Sequence, residues 1–101
     1  MCSLYCASKG AVTLYTRAVA REAAAFGVRV NCVCPADILT PLTEGQLATA
    51  PDREAALREM AAVYPMERVG TAEEAAAVIA FLSSPAASYV TGAAWKSFSH
   101  K

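Results

Sequence analysis

An excess of charge, a long apolar run and metal-spaced cysteines are all missing from this 101-residue chain. Nine Lys and Arg balance nine Asp and Glu, for a formal net charge of +0 at pH 7. No Lys/Arg cluster offers the electrostatic footprint that nucleic acid needs, and no acidic tail suggests a basic partner. Small molecules and other protein chains are therefore the expected partners, with no nucleic acid and no membrane. The most apolar stretch, residues 75–82, is too short to cross a bilayer. Residues 1–4 lack the charged and apolar regions of a secretory leader, so the expected compartment is cytoplasmic. The four cysteines, at 2, 6, 32 and 34, match neither a C-x-x-C redox pair nor the usual zinc spacings, and no metal site is expected. Cys2 and Cys6 are read as free thiols. Cys32 and Cys34 alternate in an extended run and are expected to face one side as small buried hydrophobes. The single histidine, His100, falls in a tail without pattern and receives no role.

Hydrophobic residues make up 55% and charged residues 18%, a balance that argues for a buried core and against disorder. The length suits one small domain but is short for a sheet covered by helices on both faces.

Chemistry concentrates at Tyr5-Cys6-Ala7-Ser8-Lys9, where a phenol and an ammonium stand four residues apart. On a helix this spacing brings the two side chains to one face, with Cβ atoms ~5–6 Å apart. At an effective dielectric of ~20, a positive charge ~4 Å away is worth roughly 4 kcal/mol, enough to move a phenol from ~10 to about 7. The positive end of a helix dipole acts in the same direction. A tyrosine tuned this way can give or take a proton near neutrality, which suits reversible reduction of a carbonyl. The bland rival is an ordinary half-buried helix tyrosine, because a two-residue motif alone is weak.

The pattern predicts a helix over residues 4–25, Ala-rich, free of Pro and ended by Gly27 in a left-handed cap. Gly10 weakens it, and its expected compensation is close approach by another backbone or a ligand. Residues 28–34, nearly all apolar and stopped by Pro35, predict a central parallel strand. Helix, short turn and buried strand form the second half of a βαβ unit. Residues 35–41 leave that strand's carboxyl end, where open α/β sheets place their ligands, and are the candidate binding loop. A flap with a short helix of its own is expected from Thr43 onward. Helices follow over residues 51–63 and 71–83, the second opened by a Thr71-x-x-Glu74 capping box, with residues 64–70 linking them. A loop over 88–92 leads to a final strand at 93–95. Residues 96–101 read as an irregular tail.

In order and spacing, Tyr5-x-x-x-Lys9, Val30-Asn31-Cys32-Val33-Cys34-Pro35, Thr40, Arg68-Val69-Gly70 and Tyr89-Val90-Thr91-Gly92 resemble the C-terminal part of the short-chain dehydrogenase/reductase family. The resemblance spans residues 3–95, so the expected domain is 1–95. It implies an α/β fold: part of a Rossmann-like parallel sheet built as long helix, strand, two or three helices and a short final strand. It further implies NAD or NADP as cofactor, hydride transfer with a small-molecule alcohol or carbonyl substrate, and homo-oligomer contacts through the first helix. By the same resemblance Tyr5 is the acid/base, Lys9 lowers its pKa and holds the nicotinamide ribose hydroxyls, and Pro35, Ile38 and Thr40 border the nicotinamide and its carboxamide or phosphate. Asn31 is expected to serve the structure by bonding neighbouring loop backbone, since a polar residue in an apolar strand needs partners. Thr40 has a plainer alternative as a helix cap.

Departures from the family pattern temper these expectations. None of the five glycines forms the Gly-rich phosphate turn between a first strand and helix. The family's catalytic serine and asparagine would lie upstream of Tyr5. Ala36 replaces a glycine that the family carries after this proline, and its Cβ is expected to crowd the loop. The chain therefore reads as a truncated oxidoreductase, inactive in isolation. The alternatives are a non-catalytic module that docks onto an oligomeric relative, and a cysteine-based metal or redox protein.

Overall fold

The computed structural model describes residues 2–96 and divides them into two compact units, residues 2–34 with 80–95, and residues 35–79 with 96. Within the described residues, no helix is long and apolar enough to cross a membrane. The part of the predicted tail beyond Lys96, with His100, lies outside them.

The first unit is built on α1, Ser3–Ala23. Its buried residues Thr16 and Ala20, with Thr13 and Ala23 partly covered, recur every three or four positions and form one stripe. The buried Thr16 hydroxyl donates to the Val12 carbonyl at 2.8 Å and so brings no unpaired polar group inside. α1 tightens into a 3₁₀ turn at Ala24–Phe26 and stops at Gly27, whose φ of 70° is the left-handed cap. Gly10 has no tight neighbour: a Cβ there would meet nothing within 4 Å, so the close approach expected at this position is not made among the described residues.

Only Cys32–Cys34 of the predicted strand carries regular pairing, as β1. Its partner is β4, Ala94–Lys96, which takes in the first residue of the predicted tail. The preceding residues are extended but clamped differently. The Val30 amide donates to the Thr91 hydroxyl at 3.1 Å, the Val30 carbonyl accepts from the Gly92 amide at 2.7 Å, and the Cys32 amide donates to the Ala93 carbonyl at 2.9 Å. Residue numbers rise together on both segments, the order of a parallel pair. Gly92 takes φ 70° here, and a Cβ added to it would stand 3.5 Å from the Cβ of Ala20. Cys32 and Cys34 are half-buried and unbridged.

The second unit holds β2 (Ile38–Leu39), α2 (Pro41–Ala48), α3 (Arg53–Ala61) and β3 (Gly70–Thr71). β2 and β3 are parallel, with Ile38 opposite Gly70 and Leu39 opposite Thr71. The sequence pattern had suggested only an irregular loop at 35–41, because two residues are too few for any alternation to register. α2 is the short helix expected in the flap. The buried hydrophobic residues of this unit are Leu47, Ala61 and Tyr64, the last only 4% exposed.

α4 covers Ala72–Leu82. The Thr71–Glu74 box forms as predicted: the Thr71 amide donates to the Glu74 carboxylate at 2.9 Å and the Glu74 amide to the Thr71 hydroxyl at 3.1 Å. The last turn of α4 is capped by a side chain that the sequence did not single out. The Arg29 guanidinium donates to the carbonyls of Leu82 (2.8 Å), Val90 (3.2 Å) and Ser84 (3.3 Å), and a cation is favoured at a helix C-terminus.

Candidate active site

The first turns of α1 carry Tyr5 and Lys9 on one face. The Lys9 ammonium lies 5.4 Å from the centroid of the Tyr5 ring, a cation–π geometry. Tyr5 is 65% exposed, and among the described residues its phenolic oxygen makes no hydrogen bond, so it is open to a ligand. Its backbone carbonyl is used locally, accepting from the Ser8 hydroxyl at 2.7 Å. The N-cap position, Cys2, provides no side-chain cap, leaving amides of the first turn free for water or another acceptor.

Pro35, Ile38 and Thr40 belong to the second unit, in the segment that leaves β1. Pro35 is exposed, while Ile38 and Thr40 are half-buried. Two devices hold this segment. The Tyr64 hydroxyl donates to the Asp37 carboxylate at 2.7 Å and accepts from the Asp37 amide at 3.3 Å. The Asp37 carbonyl in turn accepts from the Gly70 amide at 2.9 Å. Burial, and then the bond to Asp37, push the Tyr64 phenol above its ordinary range. A Cβ at Gly70 would stand 2.8 Å from Cδ1 of Ile38, the end of a side chain that would have to turn aside. Ile38 also lines a cavity of about 290 Å³ with Gly70, Arg68, Glu74 and Lys96. A larger cavity of about 490 Å³, between α3 and residues 67–69, contains none of the residues predicted for the site.

Thr40 is the N-cap of α2, its hydroxyl accepting from the Thr43 amide at 3.4 Å. The plainer alternative for this residue is thus realised, and it leaves a definite capacity for more. The Thr43 hydroxyl gives its one proton to the Ile38 carbonyl at 2.7 Å, so in the 3.2 Å contact between the two hydroxyls Thr40 is the donor. Thr40 then keeps one lone pair and no proton to offer.

Asn31 does what a polar strand residue must. Its amide donates to the Val90 carbonyl and accepts from the Ala93 amide, both at 3.0 Å. Ala36 causes no backbone strain: among the described residues Glu67 alone, apart from glycine, has positive φ. Arg68 pairs with Glu74 at 2.7 Å and, with a bond from the Thr71 amide, holds that carboxyl down at about 2. Among the described residues no group of three or more His, Cys, Asp or Glu could hold a metal.

Sequence reasoning missed Tyr64, Asp37 and Arg29. No local signal could have joined Asp37 to Tyr64, 27 residues apart, or Arg29 to carbonyls 53 or more away. Tyr5 and Lys9 were legible because one helix fixes them both.

Residues 1–96 match a family model described as enoyl-(acyl carrier protein) reductase. The chain is similar to L-fucose dehydrogenase of Oryctolagus cuniculus, 48% identical over 87% of this chain and 31% of that relative. It is similar in structure to Cj0485 dehydrogenase, with a TM-score of 0.90, 35% identity and coverage of 94% of this chain and 37% of the other. The L-sorbose reductase of Gluconobacter frateurii, solved with NADPH and L-sorbose, gives a TM-score of 0.86 at 29% identity over 93% of this chain and 38% of the other. The chain thus spans about a third of the length of the curated relatives it matches.

Proposed function

This chain belongs to the short-chain dehydrogenase/reductase family, and from that premise we propose that it contributes the proton-transfer residues and one wall of the nicotinamide site to an NAD(P)-dependent oxidoreductase. The carrying observation is the Tyr5–Lys9 pair, exposed on one helix face with the ammonium 5.4 Å from the ring. Tyr5 is the acid/base: its phenol protonates a carbonyl oxygen in reduction and receives the alcohol proton in oxidation. Lys9 offers N–H donors to ribose hydroxyls. A nicotinamide, when bound, supplies or accepts the hydride.

The donor set of this chain fits such a cofactor. Thr40 has a lone pair but no free proton, so it suits the N–H₂ of a carboxamide and not a phosphate, which needs donors. Pro35 and Ile38 supply apolar surface beside it, and Asp37–Tyr64 keeps their backbone in place. The substrate is a small-molecule alcohol or carbonyl. L-fucose and L-sorbose, named in two relatives, are the first to assay.

The phosphate turn and the family's serine are not among the 101 residues, so the isolated chain is inactive by itself. Cofactor-dependent alcohol oxidation by the purified chain, lost in Tyr5→Phe, would overturn that. The catalytic role is tested by joining the chain to the part of L-sorbose reductase that it does not match and following NADPH oxidation. Turnover is expected to fall ~10²–10⁴-fold in Tyr5→Phe. A chimera that binds NADPH and keeps its rate without the phenol refutes the assignment.

A second reading rests on the exposed apolar face of α1, where Leu4 is 85%, Tyr15 72% and, just beyond, Phe26 84% exposed. Such a surface suits docking of α1 on another copy or on a relative, as homo-oligomer or as a non-catalytic partner. Light scattering tests it: monomeric behaviour, alone and with a full-length relative, excludes docking.

A further inference from the structure

The geometry points to a chelating dithiol at Cys2 and Cys6, a site for a single thiophilic metal or metalloid centre on the same helix face as Tyr5 and Lys9. Cys2 has φ −99° and ψ −2°, so it continues the helical path of α1. The Cys6 amide donates to the Cys2 carbonyl at 2.7 Å, which places the two residues one turn apart. Both thiols are exposed and unbridged. At 3.6 residues per turn, Tyr5, Lys9, Cys2 and Cys6 fall within an arc of about 100°.

Spacing decides what the two sulfurs can do. Residues four apart on a helix hold their Cβ atoms ~5–6 Å apart, whereas a disulfide needs ~3.5–4.5 Å. An intrahelical disulfide would distort the first turn of α1. One atom bound to both sulfurs relaxes this limit, because two bonds of ~2.3 Å hold the sulfurs well beyond the ~2.05 Å of a disulfide. A monosubstituted trivalent arsenical fits this two-ligand site. The reaction is condensation without redox change: an arsenic–oxygen unit and two thiols give two As–S bonds, and both thiol protons leave with the oxygen as water. Cys32 and Cys34, half-buried on β1, are the less accessible pair. The occupied site would crowd the approach to Tyr5. Binding does not rest on the proposed hydride chemistry; only its inhibitory consequence does.

The test titrates the chain with phenylarsine oxide, reading stoichiometry by intact mass and the Tyr5 ring by NMR. One phenylarsenic per chain and a displaced Tyr5 ring resonance are expected. Because two tethered thiols act at high effective concentration, Cys2→Ser or Cys6→Ser is expected to weaken binding by roughly 10²-fold, and the double variant to abolish it at this site. Cys32→Ser/Cys34→Ser is expected to leave it unchanged. Undiminished binding in the Cys2→Ser/Cys6→Ser chain, or no adduct with the unsubstituted chain, overturns the site. A one-to-one adduct that leaves the Tyr5 ring unmoved overturns its coupling to the catalytic face. None of these readouts requires turnover, so loss of hydride transfer activity would not mimic them.

Discussion

In the unit formed by residues 2–34 and 80–95, the polar side chains that hold the chain bond to backbone. Arg29 takes three carbonyls and Asn31 takes one carbonyl and one amide. In the unit formed by residues 35–79 and 96, side chains also bond to each other: Asp37 with Tyr64, Thr40 with Thr43, Arg53 with Glu44, Arg68 with Glu74. The consequence differs for function. The first unit fixes its loops with Arg29, Asn31 and Thr91 and leaves Tyr5 and Lys9 uncommitted on an exposed helix, as the proposed function requires. The second commits its side chains in advance and presents a preset wall. A reactive group must be reachable and able to change protonation, while a binding wall gains from being ordered beforehand.

This contrast can be broken by substitutions that separate rate from stability. The largest effect is expected from Tyr5→Phe, the ~10²–10⁴-fold loss of turnover described above, with no change in melting temperature because Tyr5 is 65% exposed. A drop in melting temperature would show that Tyr5 is structural after all. Next comes Asn31→Ala, which strips the Ala93 amide of its partner and leaves the Val90 carbonyl with Arg29 alone. A loss of about 2–3 kcal/mol in denaturant unfolding is expected, and less than half of that would mean that water replaces the amide.

Tyr64→Phe should cost about 1–2 kcal/mol, since it removes the hydroxyl from Asp37 and leaves the ring in place. The Tyr64 phenol is raised in the folded state. Its contribution is therefore full below the unfolded value near 10 and declines as pH rises through the folded one. Alkaline unfolding followed at the tyrosinate band should show this, and Tyr64→Phe should remove it. Thr40→Ala removes the N-cap of α2 for about 1 kcal/mol, and it should also weaken carboxamide recognition, read as a rise in cofactor Kd.

The smallest effect is expected at Glu74, an exposed pair. Its carboxyl lies at about 2 against an ordinary 4.5, so the stabilisation is complete above 4.5 and lost as pH falls toward 2. An acid titration of α4 helicity should lose that step in Glu74→Gln, and high salt should shrink it.

Several elements were legible from local residues alone. Gly27 stops α1, the Thr71–Glu74 box opens α4, and Tyr5–Lys9 share a face, because each depends on neighbours within about one helical turn. β2 and β3 were not legible. Two residues cannot show a period, and their pairing joins Ile38 to Gly70 across 32 positions. The predicted strand over 28–34 shortened to Cys32–Cys34 for a related reason: the earlier residues satisfy their backbone through Thr91 and Gly92 and not through a regular ladder.

By itself the sequence determined the long first helix and its Gly27 stop, the Thr71–Glu74 box, the shared face of Tyr5 and Lys9 and the family, all of which follow from residue type at short spacing. Tertiary structure alone decided which distant groups meet: Tyr64 on Asp37, Gly70 beside Ile38, Arg29 on the end of α4. The physical reason is one of range. A helix sets angles between near neighbours by its own geometry, whereas a bond between residues tens of positions apart exists only once packing has brought their donors and acceptors together.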